Sequence, residues 1–212
     1  MSQTRTVLML SNHGEIVGGG ELSFLGLLKG LNRSRWAPIV VVPSDGAVAV
    51  GCRGLGLPTH VVPLPSIRWP GSAVLRSIGI LYSLIKGTGA ALLHANGSRA
   101  MFYAGFTGRL AGRRVIWHAR VADRDNLLDR LLVSLAHAVI VNSRAVRRRF
   151  AWASTRKLHC IYNGIDLALF NPRQPTLELR ASLGLPDGAP VVGSVGRFVA
   201  YKGYHHLLEA AG

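Results

Sequence analysis

Eight short apolar runs, rich in Val, Ile and Leu, recur along this chain. They cover residues 6–10, 38–43, 59–64, 90–95, 114–119, 138–143, 158–163 and 190–196. Each run is apolar on both faces, which is typical of strands in a parallel sheet that is covered on both sides. The pattern therefore predicts a buried, parallel β-sheet.

Between these runs, apolar residues follow the spacing of helices. One helix is predicted to begin near Glu21, a second to cover 72–86, and a third to lie around 127–135; Ser143 is the predicted N-cap of a fourth. The three apolar faces are predicted to be Phe24, Leu27, Leu28 and Leu31; Val74, Ile78, Leu81, Tyr82 and Ile85; and Leu127, Leu128, Leu131, Leu132 and Leu135. Strands that alternate with helices predict an α/β fold with a Rossmann-like, doubly wound parallel sheet.

The periodicity stops after Tyr162, where Asn-Gly and Asn-Pro pairs indicate a connection. We predict a first domain over 1–163, an interdomain linker over 164–189, and the first strand and helix of a second Rossmann-like domain over 190–212. A lone strand and helix cannot bury a core. We therefore expect the sequence to be a piece of a larger protein.

Charge adds a further constraint. The chain has 25 Lys and Arg against 10 Asp and Glu, a net charge of +15, and 13 basic against 3 acidic residues lie between Arg99 and Lys157. Such a surface attracts nucleic acid, an acidic membrane or a phosphorylated substrate, or is simply a soluble basic face. Aromatic residues are not interleaved with the basic ones, which argues against an RNA platform.

Other classes of function find little support in the sequence. No Gly-x-Ser-x-Gly elbow and no metal-ligand spacing occurs, and no apolar run is long enough to span a membrane. The two cysteines, Cys52 and Cys160, fit no metal or redox spacing and indicate buried thiols in a reducing compartment.

Three stretches could carry chemistry. Gly18, Gly19 and Gly20 follow the first strand and open a helix, where backbone N–H groups can face an anion. A flexible turn is the alternative, but the position at the carboxyl edge of the sheet favours a site. His118 ends one strand and His94 lies in the equivalent place one strand earlier; each could bind a ligand or be structural. Arg197 and Lys202 lie beyond the last run and suit a diphosphate, or are solvated loop cations.

Several stretches together resemble a known family. They are "GGGE" at 18–21, "HANG" at 94–97, "WHAR" at 117–120, "IYNGIDLALFNP" at 161–172 and "VGSVGRFVAYKG" at 192–203. The chain resembles the N-terminal part of a retaining glycosyltransferase of family 4, with the GT-B architecture of two facing Rossmann-like domains.

The resemblance implies transfer of a sugar from a nucleoside diphosphate sugar, which is a co-substrate, to a glycan or lipid-linked acceptor, without a cofactor or bound metal. It implies that Gly18, Gly19, Gly20, Arg197 and Lys202 bind the donor phosphates and that His118 is catalytic. It also places Glu21, His94, Asn96 and Arg120 at the acceptor or cleft, and Asn163, Gly164 and Asp166 at the interdomain connection.

The sequence departs from the family in one respect. The family's two glutamates, eight residues apart in the C-terminal domain, are not within it, so we expect the 212 residues alone to be inactive. The alternatives are a GT-B nucleotide-sugar 2-epimerase and a non-catalytic basic module that docks on an acceptor or membrane. The expected location is cytoplasmic, with peripheral binding to the inner face of the cytoplasmic membrane and no nucleic acid partner.

Overall fold

The computed structural model describes residues 4–67, 71–171, 177–186 and 188–212. The chain separates into two compact units, Met1–Asp166 and Leu167–Gly212. Residues 172–176 and Asp187 of the predicted linker lie outside the described residues.

The first unit is built on one parallel sheet of seven strands in the order β3-β2-β1-β4-β5-β6-β7. The strands are β1 (Arg5–Ser11), β2 (Trp36–Val42), β3 (Thr59–Val61), β4 (Leu92–Asn96), β5 (Arg114–Ala119), β6 (Ala138–Val141) and β7 (Leu158–Cys160). The helices are α1 (Gly19–Gly30), α2 (Ala47–Gly54), α3 (Ser72–Thr88), α4 (Ser98–Leu110), α5 (Asn126–Leu135) and α6 (Arg144–Arg149). This arrangement confirms the predicted Rossmann-like fold.

The core lies on both faces of the sheet, as the apolar runs predict. In β1, Val7 and Met9 pack into one buried cluster, while Leu8 and Leu10 pack into the other. This alternation follows from the two-residue period of a strand, whose successive side chains point to opposite faces. The helices cover both faces and exclude water from the strands.

Each of the three predicted helix faces is partly wrong. In α3, Tyr82 is exposed. In α5, Leu127 is 83% exposed, whereas Asp129 and Leu132 are buried. The helix turns this face inward because Asp129 forms a buried ion pair with Arg149. In α1, Leu27 is exposed, because the inward face is formed by Glu21, Phe24 and Leu28. Leu31 follows the helix in an extended conformation.

The second unit contains short helices: α7 (Leu177–Ser182), a 3-10 turn (Ala200–Lys202) and α8 (Tyr204–Ala211). The helix predicted after the last apolar run is present as α8. The strand predicted over 190–196 is not formed. A strand requires a neighbour that accepts and donates its ladder hydrogen bonds, and the described residues of this unit provide none.

Candidate functional site

The ends of strands β1, β4 and β5 bring polar side chains to one edge of the sheet. Ser11 pairs with Asn96 across β1 and β4, and Asn96 pairs with His118 across β4 and β5. The strand order reverses between β1 and β4. Ligands of open α/β sheets bind outside the carboxyl ends of the strands at such a point. This edge is therefore the candidate site.

Arg120, directly after β5, connects side chains from four segments of the chain. Its Nε donates to Asn96 Oδ1, and its Nη1 donates to Ser23 Oγ at 2.8 Å and to Asn163 Oδ1 at 3.0 Å. Its Nη2 lies 3.4 Å from His118 Nδ1. The structure thus brings four predicted residues, Asn96, His118, Arg120 and Asn163, into one network. Ser23 was not predicted, because a serine within a helix has no distinctive sequence signal.

His94 and His118 form a buried pair at the same edge. Their rings meet edge to face, with 5.6 Å between centroids. Burial, followed by the charge of Arg120, lowers the pKa of His94 to about 4 and the pKa of His118 to about 3. Among the described residues, both ring nitrogens of His94 lack a hydrogen-bond partner, and so does Nε2 of His118. Both side chains are therefore neutral at physiological pH and retain unused hydrogen-bonding capacity.

Glu21 lies in the first turn of α1 and is only 5% exposed. Its negative charge opposes the lowering of the Arg120 pKa, which burial brings to about 10. Arg120 therefore remains charged at neutral pH. Of the predicted acceptor residues, Glu21, His94 and Asn96 are buried, as is His118.

The predicted phosphate-binding glycines lie at the start of α1. A Cβ atom added to Gly18 or Gly19 would meet nothing within 4 Å, and one added to Gly20 would lie 3.4 Å from Arg120 Cδ. The backbone at Gly18 and Gly19 is therefore open to a ligand. The N–H groups at the start of a helix favour an anion at this position.

Asn12, which the sequence reasoning missed, organises the neighbouring turn between β4 and α4. Its Oδ1 accepts hydrogen bonds from the N–H groups of Arg99 and Ala100, at 3.0 and 3.2 Å. Gly97 has φ of +109°, and a Cβ there would lie 2.7 Å from the Asn12 side chain. Nothing in the sequence identified this distant cap.

A cleft of about 420 Å³ opens beside the turn that follows β1. Its lining residues are His13, Gly14, Glu15, Pro43, Ser44, Pro63, Leu64, Pro65 and Arg99. Burial, opposed by Glu21 and assisted by Arg99, lowers the pKa of His13. Its lining combines prolines and a leucine with the polar side chains of His13, Glu15, Ser44 and Arg99. None of these residues was predicted.

The remaining predicted residues lie after β7 and in the second unit. Lys29 Nζ lies 3.4 Å from Asp166 Oδ2 in an exposed ion pair, and Gly164 is exposed. Arg197 lies in an irregular segment, and Lys202 ends the 3-10 turn. The Arg197 carbonyl accepts from the N–H of Val199, whose carbonyl accepts from the N–H of Lys202. One compact turn therefore carries both cations.

The described ranges contain neither a metal-binding cluster nor a membrane-spanning helix. No group of three His, Cys, Asp or Glu side chains lies close enough there to hold a metal ion. Similarly, none of the helices described here has the length and apolar character needed to cross a bilayer.

Comparisons with known proteins agree with this geometry. Residues 17–169 match the model of Glycosyltransferase Family 4. Alpha-maltose-1-phosphate synthase from Mycolicibacterium smegmatis is 33% identical over 90 residues, which are 40% of this chain and 23% of that protein. The crystal structure of Anabaena Alr3699/HepE in complex with UDP superposes with a TM-score of 0.79 and 25% identity, covering 97% of this chain.

Two further structures extend the comparison. Anabaena Alr3699/HepE in complex with UDP and glucose gives a TM-score of 0.73 at 25% identity. Sucrose-phosphate synthase from Thermosynechococcus elongatus has the same fold, with a TM-score of 0.73 at 17% identity over 98% of this chain. The chain spans 57% of the Anabaena protein and 59% of the sucrose-phosphate synthase.

Proposed function

This chain belongs to glycosyltransferase family 4, and we propose that the protein containing it moves a sugar from a nucleoside diphosphate sugar to a glycan or lipid-linked acceptor, with retention of configuration. The observation that carries this proposal is the network at the carboxyl edge of the sheet. It sets the neutral side chain of His118 and the cation of Arg120 beside an open glycine turn. Because the Anabaena relative binds UDP and glucose, it supports a nucleotide sugar as donor.

On the donor side, the leaving diphosphate needs groups that neutralise its growing charge. We assign this role to the open backbone at Gly18–Gly20 and to the cations of Arg197 and Lys202. The guanidinium of Arg197 provides a planar fork of donors, and the ammonium of Lys202 provides a point charge. The start of the helix provides backbone N–H donors. Such fixed charges can replace a metal ion in stabilising the transition state. The proposed reaction therefore needs no bound metal.

On the acceptor side, the cleft beside β1 provides a place for the attacking molecule. Its polar groups include His13, Ser44 and Arg99, and prolines form part of its apolar wall. Hydroxyl groups of a sugar could bind these polar side chains while the ring contacts the apolar surface. His118 then acts at the transferred sugar, and Glu21, His94, Asn96 and Arg120 hold it in position.

The test uses the complete gene product and a panel of nucleoside diphosphate sugars. Release of nucleoside diphosphate should depend on an acceptor, and NMR of the product reports its anomeric configuration. His118→Ala should reduce turnover by roughly a hundredfold, whereas His159→Ala, at an exposed position on β7, should not. A 2-epimerase would instead convert the donor without an acceptor, and a non-catalytic module would leave it unchanged.

The 212 residues alone are proposed not to transfer sugar. The two glutamates that the family resemblance implies are outside this sequence, and the chain spans 57% of the Anabaena relative. Without those two glutamates, nucleoside diphosphate binding should be no tighter than roughly millimolar, or about 4 kcal/mol. Calorimetry checks this value. A micromolar dissociation constant would show that the donor site is complete here and would overturn the proposal.

The basic surface is proposed to bind an anionic membrane at the cytoplasmic face. Arg144, Arg147 and Arg148 of α6 are exposed, and Arg124 donates to the Arg148 carbonyl at 3.1 Å. Leu127, on the adjoining α5, adds an exposed apolar side chain. Each cation near an anionic leaflet contributes about 1 kcal/mol. Cosedimentation with anionic vesicles should be strong at low salt and weaken as salt rises; no binding at low salt would contradict this proposal.

A further inference from the structure

The contacts of Arg120 determine more than its own position. A guanidinium carries only N–H donors and has no acceptor atom. Its Nη2 lies within hydrogen-bonding distance of His118 Nδ1, at 3.4 Å. In this contact His118 Nδ1 must therefore be the acceptor, so it cannot carry the proton of the neutral ring. That proton must then be on Nε2.

We propose that Arg120 is a positioning residue that holds the proton of neutral His118 on Nε2, so that this nitrogen is a hydrogen-bond donor to an oxygen atom of the ligand. The identity of that ligand rests on the proposed function, whereas the position of the proton does not. His118 Nε2 is buried and has no partner among the described residues. It is therefore the one ring nitrogen of His118 that remains for a ligand.

Arg120 can act in this way because its other nitrogens are fixed. Nε is held by Asn96, and Nη1 is held by Ser23 and Asn163. These partners come from β4, α1 and the segment after β7, so the guanidinium plane is anchored on three sides. Nη2 is left to face His118.

The groups around His118 also favour the neutral ring. On its own strand the nearest charge is the cation of Arg120, and β4 contributes the neutral ring of His94. On the other side, β6 pairs Ile140 with His118, and α1 contributes Glu21, which interacts with Arg120. Burial and the cation together lower the pKa of His118. We therefore expect His118 to donate a hydrogen bond as a neutral imidazole and not to act as a general acid.

Nitrogen-15 NMR of the 212-residue chain tests this assignment without any substrate. Chemical shifts of a protonated and an unprotonated imidazole nitrogen differ clearly, so the tautomer is read directly. In the wild type, His118 should show protonated Nε2 and unprotonated Nδ1 throughout pH 5–8. In Arg120→Met, a fraction of protonated Nδ1 should appear, and the apparent pKa of His118 should rise by about 1–3 pH units.

Two further variants make the test specific. Arg156→Met removes an exposed arginine and should leave the His118 spectrum unchanged. Asn163→Ala removes one anchor of Arg120 and should produce a smaller fraction of protonated Nδ1, which keeps the test open if Arg120→Met does not fold. A wild-type spectrum with protonated Nδ1 overturns the proposal. An unchanged His118 spectrum in Arg120→Met also overturns it. If only Asn163→Ala folds, an unchanged His118 spectrum in that variant has the same consequence.

This result and the proposed function can fail independently. If the tautomer is as expected but no sugar is transferred by the complete gene product, the assignment of Arg120 stands and the enzymatic proposal falls. If sugar is transferred but Nδ1 of His118 is protonated, the reverse holds.

Discussion

Replacing His94 by Leu should make the protein less sensitive to mild acid. His94 is a buried histidine whose pKa is held at about 4, chiefly by burial. In the unfolded chain its pKa returns to the ordinary value of about 6.5. Below pH 6.5 the unfolded chain therefore binds a proton that the folded protein does not, and the free energy of unfolding falls as the pH falls towards 4.

The size of the effect follows from these pKa values. Each pH unit between 6.5 and the pH of measurement costs about 1.4 kcal/mol for a group that is protonated only when unfolded. At pH 5, His94 should therefore destabilise the fold by about 2 kcal/mol relative to pH 7. His118, with a pKa of about 3, should add a similar amount. Because carboxylates titrate mainly below pH 5, they contribute little in this range.

Urea unfolding at pH 7 and pH 5 measures the effect. Wild type should lose stability between the two conditions, with additional contributions from His13 and His137, whose pKa values burial also lowers. His94→Leu should lose about 2 kcal/mol less than wild type. Leu has a similar volume and removes two buried nitrogens that lack partners, so the variant should still fold at pH 7.

His159→Leu provides the matched control, since His159 is exposed on β7. Its loss between pH 7 and pH 5 should equal that of wild type. If His94→Leu loses as much stability as wild type, then His94 is not buried as a neutral ring, and the account of the histidine pair is wrong.

Two further predictions concern stability. Asp129→Ala should cost about 3–5 kcal/mol in urea unfolding, because it leaves the buried charge of Arg149 without an opposite charge; a cost below about 1 kcal/mol would mean that the pair is solvated. Gly97→Ala should cost about 1–3 kcal/mol, since φ is +109° and the new methyl group would clash with Asn12. Gly18→Ala, in an extended conformation with open space, is its control and should change the melting temperature little.

The strands of the first unit could be predicted from the sequence, and two of its helices could not. Strands buried on both faces appear as unbroken apolar runs, and all seven were found. In contrast, α4 contains Gly105 and Gly108, which lower helix propensity and interrupt an apolar pattern. The structure explains them: a Cβ at Gly105 would lie 2.9 Å from Leu135, and one at Gly108 would lie 2.4 Å from Val115. These glycines permit close packing, which is a tertiary requirement.

The candidate site likewise contains some residues that could be predicted from the sequence and others that could not. His94 and His118 could be placed at this edge from the sequence because the ends of parallel strands meet there, whereas Asn96 and Arg120 were implied by the family resemblance. Contacts that loop residues make with distant segments could not be predicted from the sequence. Asn12, which caps a helix far along the chain, belongs to this group, because one sequence contains no signal for a cap supplied by a distant segment.

Charged residues at inward positions of helices carry a signal that the sequence reasoning did not use. Val146 and Arg149 of α6 and Phe150, its C-cap, have the spacing of one helix face, and all three are buried. In α5, Asp129 shares its face with Leu132 in the same way. A single charge at such a position is costly, whereas two opposite charges on neighbouring helices can pair.

The spacing alone therefore marks Asp129 and Arg149 as inward charges that need partners, and the structure joins them by two hydrogen bonds. The same rule applies to Glu21, which shares an inward face with Phe24 and Leu28. Its electrostatic partner is Arg120, which is not on a helix but at the candidate site. An inward charge whose partner lies outside the helices thus indicates a position where the core and the functional edge of the sheet meet.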